Sequence, residues 1–328
     1  MVKVAFVGCG VMMEAHMRRL GRLPDVTLAG CCDTNAECAE RAAATHGGAA
    51  FTDPSVMFDE VKPDAAYICV PPGARGPMEA AAAQRGIHLF LEKPIALSRK
   101  EARALASAVR AGGIIVSVGY RYRYLDTVQR AKDELKGRPV TLVRGCWAGS
   151  IPRTPWARRA DQSGGLIFHE TTHLFDMLRY LCGEVAEVHA VSSRGCVNNM
   201  DDYDIDDSSA LALRMKTGAA ATVASTCVLS RQLSPNGHAD VGVHQLEIFT
   251  PDAIIRLESG RLTISDGGKS TVYTSRTDPI LEENRAFIEA VTTGKRIRIR
   301  STCRDAIKTL HVSCAAVESI KTGLPAKP

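Results

Sequence analysis

The chain opens on VKVAFVG, a short apolar run that ends on glycine, and the next residues, VMMEAHMRRLGRL, carry apolar positions at helical spacing. A second apolar run, VTLAGCC, follows and closes on Asp33. The alternation continues through FTD with a turn at DPSVMFDE, the strand DAAYICV, a helix over 77–85, the strand HLFLEKP, a helix over 98–111 and the strand IIVSVGY. Strands and helices alternating at these lengths predict βαβ repeats and a doubly wound parallel sheet that closes near Gly119 or Arg123. Beyond that point the pattern changes. TLVRGCWAG, VAEVHAVSS, SSALALRMKTGAAATVASTC, HQLEIFT, AIIRLES and RLTISDGG read as strands, with KTG and SDGG as hairpin turns. Two domains are therefore expected, an α/β domain over residues 1–122 and an α+β domain over 123–328. The segment 231–242 has turn composition and is expected to be a mobile loop.

The first turn carries chemistry. Strand, tight turn and helix in this order aim the helix N-terminal amides at a phosphate, and Gly8 and Gly10 allow the turn and a close backbone approach to a pyrophosphate. Met13 stands where the third glycine of GxGxxG belongs, so the fingerprint is incomplete. Asp33 restores the pattern, because it ends the second strand at the spacing where an acid accepts the adenosine ribose hydroxyls. The competing reading is an ordinary first βα turn with a capping aspartate. A carboxylate here would repel a 2′-phosphate, and Thr34 and Asn35 supply no arginine to bind one, so NAD is expected over NADP.

Composition narrows the field. With 45% hydrophobic residues over 328 the chain can bury a large core. Its 41 basic and 36 acidic residues give a net charge of +5 without a long basic run, which argues against nucleic acid as a partner. No apolar run approaches the ~20 residues of a membrane span, and MVKVAFVGCG leads into a strand without a signal peptide's features; a cytoplasmic protein is expected. Eleven cysteines, an odd number with no CxxC pair, read as reduced thiols of the core. One string points elsewhere. HETTH, residues 169–173, fits the HExxH of zinc peptidases, with His169 and His173 four apart on a helix and Glu170 as the base on a bound water. That reading needs a third ligand and has no use for the domain in front of it.

Several motifs carry a resemblance: GCG with His16 six residues on, the strand end at Asp33, ICVPP at 68–72, HLFLEKPIAL at 88–97, GYRYR at 119–123, SGGLIFHETTHLFDMLRYL at 163–181, and the closing NRAFIEAVTTGK and DAIKTLHVSCAAVESIKTG. In order and spacing these are similar to the Gfo/Idh/MocA family of NAD(P)-dependent oxidoreductases, nearly end to end. EKP is the most specific mark and the glycine turn the least. The resemblance implies a second domain with an open, mainly antiparallel sheet and helices on one side, association into a homodimer or homotetramer through that sheet, and a dehydrogenase of a sugar, cyclitol or sugar derivative. It implies cofactor contacts at Gly8, Gly10, Val11, Met12, Asp33, Val70, Pro71, Pro72, Glu92 and Lys93, with no metal.

Taking a hydride from a secondary alcohol requires a nicotinamide, a base for the hydroxyl proton and donors that hold the substrate. The family's EKP lysine, here Lys93, is implied as the acid/base, where the cofactor's positive charge and partial burial favour its neutral form; a cis bond before Pro94 is expected. His173 takes the family's histidine position and Asp176 the acid of the following HxxD, while His169 replaces the usual aspartate. His173 then shares proton transfer with Lys93 or holds the reacting hydroxyl, and His169 contacts the neighbouring hydroxyl or orients His173; either could instead be a core histidine. Tyr120, Arg121 and Arg123 are expected at the domain junction, as ligand contacts or interdomain ion pairs. The loop 146–162 brings Trp156 and three arginines, as a sugar-stacking wall, an acid-binding site or an exposed basic loop. Two alternatives stay beside the dehydrogenase: cleavage of a glycoside by transient NAD-dependent oxidation, and a non-catalytic dinucleotide and sugar sensor.

Overall fold

The computed structural model describes residues 1–229 and 243–328; the loop expected at 231–242 lies outside them. The chain forms two compact units, the first from Met1–Tyr124 with Asp278–Ile307 and the second from Leu125–Thr277 with Lys308–Pro328.

In the first unit the elements run β1 (Val2–Val7), α1 (Val11–Leu20), β2 (Val26–Cys32), α2 (Ala36–His46), β3 (Ala49–Phe51), α3 (Pro54–Val61), β4 (Ala65–Ile68), α4 (Pro77–Gln84), β5 (His88–Leu91), α5 (Arg99–Gly112) and β6 (Val116–Val118). The strands pair in parallel in the order β3-β2-β1-β4-β5-β6. Burial on both faces explains why β1, β4 and β5 read as nearly unbroken apolar runs. Because every strand points the same way, all carboxyl ends lie along one edge. Strand order reverses beside β1 and β4, the point at which such sheets open a crevice for ligands.

The stretch expected to be a turn at DPSVMFDE is the helix α3. Asp53 caps it, accepting from the amides of Ser55 and Val56, and Pro54 occupies the first helical position, where its missing N–H costs nothing. A cap and a proline read together would have announced a helix start.

The second unit holds α6 (Asp126–Glu134), β7 (Leu142–Ala148), α7 (Ala160–Ser163), α8 (Thr172–Cys182), β8 (Val185–Ser193), β9 (Ser208–Met215), β10 (Ala220–Thr226), β11 (Val243–Phe249), β12 (Ala253–Glu258), β13 (Arg261–Asp266) and β14 (Lys269–Thr274). Its sheet order is β14-β13-β12-β11-β7-β10-β9-β8, antiparallel throughout except where β10 runs parallel to β7. Alternate residues of β9, β10 and β12 are buried and exposed, so one face is covered and the other open. Leu174 of α8 packs over Gly145 of β7, its Cδ1 3.7 Å from where a Cβ on that glycine would stand.

Two helices close the chain, α9 (Pro279–Thr293) and α10 (Cys303–Thr322). The expected assignment of all residues after 122 to the second domain differs from the structure here. Phe287, Ile288 and Ala290 of α9 belong to the same buried cluster as Phe6, Tyr67 and Phe90, so the segment 278–307 returns to the first unit. Phe6 and Phe90 stack on either side of Tyr67 at 4.7 and 4.9 Å, and Phe287 meets Tyr67 edge-on at 5.6 Å.

Candidate active site

Four of the turns at the carboxyl edge of the first sheet carry the residues of interest. After β1, Gly8 takes φ +93°, and a Cβ there would stand 2.7 Å from the carbonyl oxygen of Cys69, so only glycine fits this crossing. Gly10 caps α1 with no side-chain hydrogen bond, and a Cβ on it would meet nothing within 4 Å. The backbone at the start of α1 can therefore be approached closely on the Gly10 side. That is the room and the polarity a pyrophosphate needs, and the residues present fit a dinucleotide. Val11 is exposed and Met12 partly so, while Met13, in the place of the third glycine, is fully buried.

Asp33 follows β2. Its Oδ2 accepts from the Cys9 amide at 2.8 Å and its Oδ1 from the Asn35 amide at 2.9 Å, which fixes the carboxylate beside the glycine turn. Thr34 and Asn35 are exposed beyond it. After β4, Val70 and Pro71 are partly exposed and Pro72 is buried.

After β5 come Glu92, Lys93 and Pro94, with the Lys93–Pro94 bond cis as expected. Lys93 is half-buried and Glu92 almost wholly so. Arg75 secures this turn: its guanidinium donates to the carbonyls of Glu92 and Pro94, the latter at 2.6 Å, and to that of Val70 at 3.2 Å. One side chain thus ties the turn after β4 to the turn after β5. Nothing in the sequence marks Arg75, since its partners are all backbone oxygens.

Behind the same turn, His16 of α1 is fully buried, with Nε2 at 3.0 Å from Glu92 Oε1 and Nδ1 at 2.8 Å from Asn284 Oδ1 of α9. Burial would push the Glu92 carboxyl up, but the hydrogen bond with His16 and the charges of Lys93 and Arg121 outweigh it and hold Glu92 below the ordinary value. The Arg121 guanidinium is raised above its ordinary value, by Tyr122 first and against the pull of burial, then by Glu92 and Glu283. Arg121 itself is half-buried in the turn after β6.

Its neighbours are corrected. Tyr120 is 1% exposed, part of the core and without surface for a ligand. Arg123, equally buried, pairs with Asp305 at 2.5 Å and donates to the carbonyl of Arg300, and this ion pair lies within the first unit.

In the second unit, Gly164 and Gly165 both take positive φ, and the chain then enters a π-helical turn, Ile167–Thr171, before α8 begins. HETTH therefore straddles a change of helix type, and the expectation of a regular α-helix through it is corrected. In a π turn the carbonyls bond five residues on, and Thr171 supports this by donating its hydroxyl to the carbonyl of Leu166 at 3.2 Å. The hydroxyl also meets Ser225 on β10 at 2.8 Å, which anchors the turn to the sheet.

His169 keeps some exposure, with Nδ1 at 3.1 Å from Glu170 Oε1 and its ring edge-on to Trp156 at 5.2 Å. Trp156, from the loop 146–162, thus packs against the one histidine of HETTH that keeps some exposure. His173 is 2% exposed and lies 6.1 Å, ring to ring, from His244 of β11, which in turn meets Trp147 at 6.1 Å. His244 was missed by sequence reasoning, because a lone histidine in a strand pattern carries no spacing signal.

Asp176 is not available for substrate. It is buried and accepts from the Thr309 hydroxyl at 3.1 Å, while Arg179 donates to the same hydroxyl at 2.6 Å, so it anchors α8 to α10. Among the described residues HETTH brings no three donor atoms within metal-binding reach; the group that does so is His16, Glu92 and Glu283.

A family model described as an oxidoreductase family with an NAD-binding Rossmann fold matches residues 2–120, and a GFO/IDH/MocA C-terminal domain model matches residues 135–250. The scyllo-inositol 2-dehydrogenase (NAD(+)) of Bacillus subtilis (strain 168) is 28% identical over 339 residues, spanning 99% of this chain and 95% of its own. The myo-inositol 2-dehydrogenase of Thermotoga maritima is 24% identical over 315 residues, spanning 90% and 89%. Among solved structures, a levoglucosan dehydrogenase in complex with NADH and levoglucosan superposes with a TM-score of 0.87 at 21% identity, covering 99% of this chain and 98% of that one. At that identity the superposition shows the shared fold.

Proposed function

The chain belongs to the Gfo/Idh/MocA oxidoreductase family, and from that premise we propose that it is a NAD-dependent dehydrogenase of a secondary alcohol on a cyclitol, sugar or sugar derivative. The observation that carries this reading is the joining of two features on one sheet edge: the open glycine cradle at Gly8 and Gly10 with Asp33 bonded to it, and the half-buried Lys93 on a turn clamped by Arg75. Relatives named as inositol dehydrogenases and spanning nearly the whole chain support the substrate class.

In this reading the amides at the start of α1 bind the pyrophosphate and the carboxylate of Asp33 accepts the ribose hydroxyls. When bound, the cofactor supplies a nicotinamide that takes up the substrate's hydride. Lys93 takes the hydroxyl proton, so that the alcohol loses a hydride and a proton and becomes a ketone, and His173 is the second acid/base candidate. His169, Trp156 and Arg121 orient the ring, the tryptophan by its flat face and the polar groups by hydrogen bonds. His169 in place of an aspartate matters for selectivity. A carboxylate accepts from two hydroxyls, whereas neutral imidazole accepts one hydrogen bond and donates one, so the preferred substrate differs from that of relatives with the acid.

The open face of the second sheet, where Ala210 opposes Ala224 and Ala212 opposes Thr222, is small-residued and nearly uncharged along β9 and β10. It supports self-association into a dimer or tetramer, which light scattering would measure. The decisive test of function is a panel of inositols, aldoses, uronates and glycosides offered with NAD to the purified protein. Formation of NADH with a cyclitol or sugar supports the reading, and none with any member of the panel removes it.

A further inference from the structure

The buried group behind the Lys93 turn contains more acid than it has partners for. Glu283 of α9 is 1% exposed, and its Oε2 is buried without a hydrogen-bond partner. The side chains of His16, Glu92 and Glu283 bring one donor atom each to within 4.8 Å of one another. Glu92 already uses both oxygens, Oε1 with His16 and Oε2 with the Lys93 amide at 3.1 Å. Gly119 shows how closely the carboxylate is enclosed, because a Cβ there would lie 3.1 Å from each Glu92 oxygen.

We propose that Glu283 is a positioning residue for the Lys93 turn: it stands as a neutral carboxylic acid beside the ionised Glu92, so that the cluster holds a single negative charge directly behind Lys93. The proposal rests on the reading of Lys93 as the acid/base. Two carboxyls this close in a dry site cannot both ionise cheaply, and the environment separates them. Glu92 faces a His16 nitrogen and the charges of Lys93 and Arg121, whereas Glu283 is pushed well up, first by burial and then by the Glu92 charge. The charged and titratable groups facing Glu283 are Glu92 at the end of β5, Arg121 in the turn after β6, His16 and Arg19 of α1, Asp278 at the start of α9, and Tyr67 of β4, whose hydroxyl is also buried without a partner. Arg121 and Arg19 oppose the shift, and burial with Glu92 outweighs them.

A buried acid held neutral lowers stability as pH rises. Above the unfolded glutamate's pKa of about 4.3 the unfolded chain loses the proton that the folded chain keeps, so stability falls with pH until Glu283 itself ionises. Replacement by a residue that cannot ionise removes that slope. Melting temperatures of the wild type, Glu283→Gln and Glu283→Leu are compared from pH 5 to pH 8. Both variants should gain on the wild type as pH rises, by roughly 5 °C or more across the range. Differences that stay constant with pH overturn the proposal, whatever their sign.

The second measurement reads Lys93 itself. In protein whose lysines carry 13C-methyl groups, with the Lys93 signal assigned by Lys93→Arg, Glu92→Gln should lower its titration midpoint by about one unit, because the supporting charge is gone. Glu283→Gln should leave the midpoint within about 0.3 unit, because the cluster's charge is unchanged. An equal fall in both variants means two charged carboxyls, and no fall in either means that the cluster does not act on Lys93; each result overturns the proposal. Neither measurement uses a substrate, so a failure here is distinct from an absence of NADH in the panel.

Discussion

The backbone N–H of Cys9 donates to Oδ2 of Asp33 across 2.8 Å. The acid at the end of β2 and the glycine turn after β1 are one hydrogen-bonded unit, so a change at Asp33 acts on both ends of the dinucleotide's binding surface.

Cofactor preference is the first consequence. Asp33→Ser with Thr34→Arg removes the carboxylate that repels a 2′-phosphate and adds a partner for one, and the serine hydroxyl still offers the Cys9 amide an acceptor. The ratio of kcat/KM for NADP to that for NAD should rise by about a hundredfold or more, mostly through loss on the NAD side. Steady-state kinetics with both cofactors measure it; an unchanged ratio places the ribose elsewhere.

Gly8 gives a prediction about stability. At φ +93°, with the Cys69 carbonyl oxygen 2.7 Å from where a Cβ would sit, alanine must move backbone on one side or the other. Gly8→Ala should cost roughly 2–4 kcal/mol in denaturant unfolding. The same substitution at Gly10, where φ is −94° and a Cβ meets nothing, should cost far less stability while weakening NAD binding. If Gly10→Ala binds NAD as well as wild type, the open space beside it is not the cradle.

Lys93 separates chemistry from binding. Lys93→Ala removes the proposed acid/base while leaving the Cys9–Asp33 unit intact, so turnover should fall by roughly two to four orders of magnitude with NAD affinity within about threefold of wild type. Fluorescence titration of NAD and initial rates on the best substrate of the panel measure the two separately. Normal turnover would show that another group takes the proton.

The parallel sheet was legible because residues buried on both faces leave apolar runs, and Gly8, Gly10 and Asp33 sit at turns that the runs themselves delimit. The return of 278–307 to the first unit was not, since an amphipathic helix such as α9 records that it has an apolar face and not which core receives it. Arg123 and Asp176 misled for a related reason. A charged residue in a motif looks like a ligand contact until its partners, Asp305 and Thr309, far along the chain, are seen to consume it. Glu283 gave no signal at all, because its meaning depends on Glu92 lying nearly two hundred residues away.

HETTH separates a metal helix from a sugar helix by what Glu170 does. A zinc reading needs His169 and His173 on one face of a regular α-helix with Glu170 free to activate water. The string instead begins in a π turn, Glu170 lies 3.1 Å from His169 Nδ1, and His173 is buried toward His244. On the proposed reading Glu170 acts on the orientation of His169 and not as a base. Glu170→Gln, which still offers an oxygen to that imidazole, should keep at least about a tenth of the wild-type rate, while His173→Ala loses roughly a hundredfold or more. His169→Asp should change which substrate is preferred more than it changes NAD affinity, since it exchanges one donor and one acceptor for two accepting oxygens. EDTA should leave the rate unchanged, with less than one zinc per chain by elemental analysis. Stoichiometric zinc, together with loss of activity on chelation and in Glu170→Gln, would sink the dehydrogenase reading of this helix, because proton removal by the proposed Lys93 and His173 requires neither the metal nor the Glu170 carboxylate.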